Sequence, residues 1–170
     1  MYAALGRRLF QAKDTQDAVK VIQELKKKLC DRVPSLLEFK ALFPNIVLTD
    51  NITKQRRLVR YVLVELERRR ADATVVDYEQ MTIEHLAPQS LIGQVDYDDA
   101  LIGQLGNLML VPDGLNAKLR NKTFKDKKRI LLEANFKLPK LIEEATDWTP
   151  TEIVARTEHM AEKAYQAWKP

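Results

Sequence analysis

A mostly helical α+β fold is predicted for this 170-residue chain: a small core of strand, loop, strand, turn and helix, flanked by N-terminal helices and a C-terminal helix. Three observations predict it. The first seventy or so residues carry apolar side chains at helical spacing, and residues 78–112 then change to short β-like pieces. Finally, Thr149-Pro150-Thr151-Glu152 is a specific helix start, a capping box with proline at the tolerated first position.

Taken in order, Asp14 or Thr15 opens a helix carrying Val19, Ile22, Leu25 and Leu29 at helical spacing. Pro34 interrupts it, and a short apolar piece around Leu36, Leu37, Phe39 and Leu42 ends at Pro44. The next helix opens near Asn51 or Thr53, with Leu58, Tyr61, Val62 and Leu66 inward and a largely arginine surround that reads first as a solvated face. Ala71 to Asp77 is a polar connection. Tyr78 to Ala87 supplies a first strand and Leu105 to Val111 a second, with an Asp- and Gly-containing loop from Gln89 to Gly103 that has room for a helical turn. Pro112-Asp113-Gly114 is a turn signal, followed by a helix around Leu115 to Leu119. In the last helix Ile153, Thr157, Met160, Ala161, Ala164 and Trp168 share one face, leaving Glu152, Arg156, Glu162 and Lys163 towards water. The division is an N-terminal helical region, 1–75, and the core with its C-terminal helices, 76–170, together one compact unit.

Composition narrows the chemistry. A lone cysteine, Cys30, excludes an intramolecular disulfide and any multi-cysteine zinc site, and a buried apolar role is expected for it. Only His85 and His159 can support a histidine-based mechanism, and His159, among polar positions of the last helix, reads as a surface or packing residue. No apolar run approaches the roughly 20 residues that cross a bilayer, and the first eight residues lack the order of a secretion signal, so a cytoplasmic location is expected. The net charge of +4 and pI near 9.1 favour an anionic partner. Much of that charge lies in Lys118, Arg120, Lys122, Lys125, Lys127, Lys128 and Arg129, opposed only by Asp126. Such a run is ordinarily an exposed helix face; following Asn116 directly, it reads as a contact for DNA phosphates.

The stretch Glu84-His85-Leu86-Ala87-Pro88-Gln89, taken with Asn107 and Asn116, combines an acid, a histidine and two amides. Magnesium takes oxygen ligands and keeps several waters, so Glu84 and Asn116 would suffice as protein ligands beside an open face. His85, with an ordinary pKa of about 6.5, would accept a proton from water near neutrality. That pairing is the minimum equipment for cutting a phosphodiester. Singly, each residue has an ordinary role: a hydrogen-bonded histidine, a strand-end asparagine, a helix-cap asparagine.

In order and spacing, Ile83-Glu84-His85-Leu86-Ala87-Pro88-Gln89, Leu105-Gly106-Asn107-Leu108-Met109-Leu110, Leu115-Asn116-Ala117-Lys118 and Phe124-Lys125-Asp126-Lys127-Lys128 resemble an HNH, or His-Me finger, nuclease core of ββα-metal type. More narrowly, they resemble the C-terminal nuclease domain of GmrSD-type modification-dependent restriction enzymes, as does Trp148 to Ile153 with Arg156 and Trp168. The resemblance spans roughly residues 75–170. It implies His85 as general base, Glu84 and Asn116 as ligands of Mg2+ or Mn2+, and Asn107 as the brace of the loop carrying the base. It departs at two positions, where such motifs often carry aspartate in place of Glu84 and histidine in place of Asn116. It further implies DNA as substrate and a nucleotide-hydrolysing modification sensor as partner, in a preceding domain or a separate chain. This chain has no GxxxxGK[ST] loop, so no nucleotide hydrolysis is expected from it. Two alternatives remain open: a non-catalytic nucleic-acid-binding module with a degenerate site, and an RNA-cleaving nuclease.

Overall fold

The computed structural model describes residues 2–70 and 77–169. The connection expected before Asp77, and with it the boundary between the two regions, lies outside the described residues. The chain opens with α1 (Tyr2–Phe10) packed on α2 (Thr15–Cys30), which starts where Asp14 accepts a hydrogen bond from the Asp17 amide at 2.8 Å. Its buried side chain is Val21, whereas Val19, Ile22 and Leu29 of the predicted stripe are exposed. Cys30 is also exposed, against the buried role expected for it, as is the whole last turn of α2. A capping box of Ser35 and Glu38 starts α3 (Leu36–Leu42), and Pro44 sits in the 3-10 turn Phe43–Asn45 that ends it.

Residues 46–55 are a loop, so α4 (Arg56–Arg68) begins later than the spacing predicts. Its buried face is Val59, Val62 and Leu63, while Leu58 and Tyr61 are 43% and 54% exposed. Arg60 ties this helix to residues 78–81, its guanidinium donating to the carbonyls of Met81 at 2.7 Å and Tyr78 at 2.6 Å.

The sheet is one antiparallel pair, β1 (Met81–His85) with β2 (Leu108–Pro112), in a register that sets Glu84 opposite Met109 and His85 opposite Leu108. Both strands are shorter than the sequence predicts. Asp77 caps a 3-10 turn at Tyr78–Gln80, and Leu105–Asn107 forms another instead of continuing the strand. Between the strands, the turn expected in the long loop is α5 (Asp99–Ile102), capped by Asp98. No separate turn follows β2, because Pro112 is the N-cap of α6 (Asp113–Leu119), which Asp113 opens directly. After it come α7 (Phe124–Glu133), capped by Thr123, and the short α8 (Lys140–Glu144).

The helix α9 (Pro150–Trp168) starts at the predicted Thr149/Glu152 capping box. Ile153, Thr157, Met160, Ala161 and Ala164 are buried as the spacing predicts, and so, against expectation, is Arg156. His159 is on the surface. Alternation along the hairpin divides the core: Met81, Leu108 and Leu110 pack with residues of α4 and α9, while Met109 and Val111 pack with residues of α6 and α7. The fold is therefore mostly helical α+β, with two strands followed by a helix at its centre.

Candidate active site

The site is built from the loop that leaves β1. Asn107 is fully buried, and its side chain accepts from the Ala87 amide at 2.7 Å while donating to the carbonyls of Ala87 at 2.9 Å and Ile102 at 2.8 Å. Its own carbonyl accepts from the Leu86 amide at 2.9 Å. The residues after His85 therefore hang from a single asparagine. Asn107 does not line the cleft at His85; its side-chain bonds go to the loop that leaves β1 and to α5.

Behind Asn107, α9 holds the turn in place. Arg156 Nη1 donates to the carbonyls of Gly106 at 2.6 Å and Leu108 at 2.8 Å, and the Gly106 amide donates to Thr157 Oγ1 at 3.1 Å. A Cβ on Gly106 would overlap the Ile153 carbonyl oxygen and Thr157 Oγ1, which is why this position requires glycine. Burial pushes Arg156 down to about 10, so it remains a cation at neutral pH.

His85 Nε2 lies 2.8 Å from the Leu48 carbonyl oxygen. A carbonyl only accepts, so Nε2 carries the proton and Nδ1 is the basic nitrogen. Nδ1 makes no hydrogen bond with a described residue. Burial lowers the His85 pKa, with the Lys127 ammonium adding to the effect and the Leu48 carbonyl opposing it, so the imidazole is neutral near pH 7. Leu48 is held in turn: its amide donates to the Gly103 carbonyl at 2.9 Å, and the neighbouring Asp50 amide donates to Gln89 Oε1 at 2.7 Å.

Glu84 and Lys127 form a buried ion pair, with Lys127 Nζ 2.7 Å from Glu84 Oε1 and the side chains of Lys127 and Glu84 1% and 9% exposed. Lys127 also donates to the His85 carbonyl. The approach to Glu84 is off the angle of a hydrogen bond, and Oε1 is a buried oxygen with no hydrogen-bond partner. Burial raises the Glu84 pKa and lowers that of Lys127, each against the pull of the other's charge. Lys127 is therefore an interior residue, not the surface DNA contact its place in the basic run predicts. Lys128 is likewise diverted, donating to the carbonyls of Glu143 and Ala145 and tying α7 to the segment around α8. Lys118, Arg120, Lys122 and Lys125 are exposed.

Asn116, half-buried on α6, donates from Nδ2 to Thr82 Oγ1 at 2.8 Å, which leaves its Oδ1 as an acceptor with no donor among the described residues. Glu84, His85 and Asn116 line one cleft of about 240 Å³, together with Arg56, Arg120 and Lys127. Arg56 comes from the first turn of α4. Arg120 has a φ of 40°, a left-handed conformation uncommon for a residue with a side chain. Neither guanidinium makes a hydrogen bond or ion pair with a described residue.

Glu84 and Asn116 are the side chains of this cleft whose oxygens could hold a hard divalent cation. A Glu84 carboxylate that already faces the Lys127 ammonium and an Asn116 amide oxygen without a donor among the described residues share this cleft, where no three described His, Cys, Asp or Glu side chains cluster as a full metal shell. Two protein oxygens with water completing the octahedron is the arrangement magnesium favours.

Among the described residues no helix is long and apolar enough to cross a membrane. No curated protein and no solved structure matches the chain. The family model described as GmrSD restriction endonucleases, C-terminal domain, matches residues 38–163, which covers Leu48, Glu84, His85, Asn107, Asn116, Lys127 and Arg156. The chain belongs to the family of C-terminal domains of GmrSD restriction endonucleases.

Proposed function

We propose that this chain is the nuclease module of a restriction system and hydrolyses DNA phosphodiesters at an HNH-type, metal-dependent site. The observation that carries this reading is the Leu48 carbonyl on His85 Nε2, which leaves Nδ1 as a lone-pair nitrogen in the cleft that Glu84 and Asn116 line. His85 Nδ1 takes the proton of a water as its oxygen attacks phosphorus, and the bond to the leaving oxygen of the sugar breaks. Glu84 and Asn116 would hold Mg2+ or Mn2+, whose charge, when bound, stabilises the negative charge that develops on the phosphate and leaving oxygen. Arg56 and Arg120, at the same cleft, neutralise the phosphate oxygens during approach. Asn107 and Arg156 hold the loop so that the imidazole needs no rearrangement at the moment of reaction.

The family supports DNA as substrate, and the exposed Lys118, Lys122 and Lys125 supply backbone contacts that position a duplex without reading its bases. The role in defence against modified DNA, and the nucleotide-hydrolysing sensor as partner, belong to the same reading. One observation favours a second: the Lys127 ammonium stands where a cation would meet Glu84, as in a DNA-binding module without a competent metal site.

A plasmid-nicking assay with Mg2+ or Mn2+, run beside Mn2+ titration calorimetry, separates them. Metal-dependent nicking by the wild type and its loss in His85→Ala supports the nuclease. Equal cleavage by both proteins removes His85 from the mechanism. DNA binding without cleavage or metal uptake supports the module, and cleavage of RNA but not DNA would overturn the substrate assignment.

A further inference from the structure

A second cavity, of about 560 Å³, opens between the C-terminal end of α4 and α9 and shares no lining residue with the cleft at His85. Its walls include Leu63, Leu66, Leu110, Phe136 and Leu141, and its charged lining is Arg69, Arg70, Lys140, Arg156 and Lys163 against Glu67 as the only acid among the described residues. Arg69 and Lys140 face carboxylates of their own helices, Glu65 and Glu144, and Arg70 faces Glu67. Among the described residues Lys163 has no ion-pair partner, and Arg156 hydrogen-bonds only to carbonyls, with the Glu67 carboxylate near enough to favour its charge.

Arg156 is the decisive residue. All its hydrogen bonds run from Nη1. Nε and Nη2 donate to no described residue, yet they are absent from the sealed, partnerless polar atoms of the described residues, which are Glu84 Oε1, Trp148 Nε1 and Trp168 Nε1. The side chain is only 7% exposed overall, so that open edge of the guanidinium faces the cavity it lines. A guanidinium edge with two free N–H nitrogens matches the two oxygens of a phosphate or carboxylate.

We propose that this cavity binds a nucleoside phosphate, with the phosphate on Arg156 and Lys163 and the base against the apolar wall at Phe136. The volume lies within the range of roughly 300–1,000 Å³ typical of small-molecule sites. Several cations suit a dianionic phosphate better than a single carboxylate. A free mononucleotide and the terminal nucleotide of a strand present the same chemistry.

The test is calorimetric titration of the full chain, without divalent metal, by AMP, inorganic phosphate, decanoate, and an oligonucleotide with and without a 5′-phosphate. Saturable AMP binding is expected, weakened about tenfold or more by Lys163→Glu, the loss expected for one charge-assisted contact, and likewise by Leu141→Trp at the cavity wall. Both variants leave the Arg156 bonds to the carbonyls intact, and their unchanged melting temperatures separate lost binding from lost folding. Tighter binding of the 5′-phosphorylated oligonucleotide than of its unphosphorylated form, with the difference lost in Lys163→Glu, assigns the site to strand ends, and equal binding of the two oligonucleotides assigns it to free nucleotides. No saturable AMP binding, equal binding by the variants, or phosphate or decanoate binding as tightly as AMP would overturn the proposal.

Discussion

Lys127 Nζ stands 2.7 Å from Glu84 Oε1, both side chains withdrawn from solvent, and the same ammonium donates to the carbonyl of His85. One lysine from α7 thus joins the candidate metal ligand to the candidate base. Removing it leaves a buried carboxylate without its counter-charge. Lys127→Met is expected to cost about 3–5 kcal/mol in unfolding free energy, the usual result of breaking one side of a buried pair. Urea denaturation measures it, and a loss below about 1 kcal/mol would place the lysine at the surface.

The salt dependence of DNA binding separates interior from surface lysines. Lys118, Lys122 and Lys125 are exposed, so each Lys→Gln change is expected to reduce the slope of log K against log salt by about 0.9 where that lysine meets a phosphate. Lys127→Gln leaves the slope unchanged in protein that remains folded. Fluorescence anisotropy over a salt series reads both, and a reduced slope for Lys127→Gln would contradict its burial.

Asn107→Ala removes three hydrogen bonds from a buried position and orphans the Ala87 amide and two carbonyls. A destabilisation of about 2–4 kcal/mol is expected from unmet buried polar groups. Because the loop rather than the substrate is affected, cleavage should fall in kcat with KM little changed. A rise in KM alone would argue for direct substrate contact.

Burial holds the His85 pKa below its ordinary 6.5, and the neutral imidazole is the form that works as a base. The acid limb of kcat/KM is therefore expected below pH 6.5, not above it. Stability changes in the same direction. As pH falls, the unfolded chain takes up the proton first, so stability is lost on descending through the ordinary histidine value towards the folded one. Melting temperature against pH for wild type and His85→Asn measures this, and parallel curves would show that His85 makes no contribution.

Gly106→Ala places a Cβ against the Ile153 carbonyl and Thr157 Oγ1, one of them backbone. At least the roughly 1–3 kcal/mol typical of overpacking is expected. Loss of cleavage should accompany it, because Asn107 is the next residue. A melting temperature equal to wild type would mean that α9 gives way at no cost.

Much of the architecture is legible in the sequence because local signals and tertiary packing agree. The capping box at Thr149 and Glu152, the strand, turn and helix order, and the joint approach of Glu84, His85 and Asn116 are of this kind. What misleads is charge. Lys127 and Arg156 read as solvent-facing because they are cationic, yet Lys127 lies three residues after Phe124 and four before Leu131, and Arg156 three after Ile153 and four before Met160, all four buried. Helical spacing placed both cations on apolar stripes, a signal that outweighs residue type. The α4 stripe failed differently, since apolar residues occupy too many of its positions for spacing alone to select Val59 and Leu63 over Leu58 and Tyr61. The carbonyl of Leu48 left no trace at all, because a backbone acceptor has no residue signature.

That carbonyl decides where the chain can be divided. The recognisable motifs all lie after residue 77, which invites cutting the molecule there, yet the group that fixes the imidazole tautomer comes from a loop almost thirty residues earlier. A shortened chain beginning at Asp77 would retain every motif residue and lose the acceptor that makes Nδ1 the basic nitrogen. Its histidine would be free to rotate and to exchange tautomers. The smallest unit that keeps the base poised is therefore set by a backbone oxygen, and it begins before Leu48.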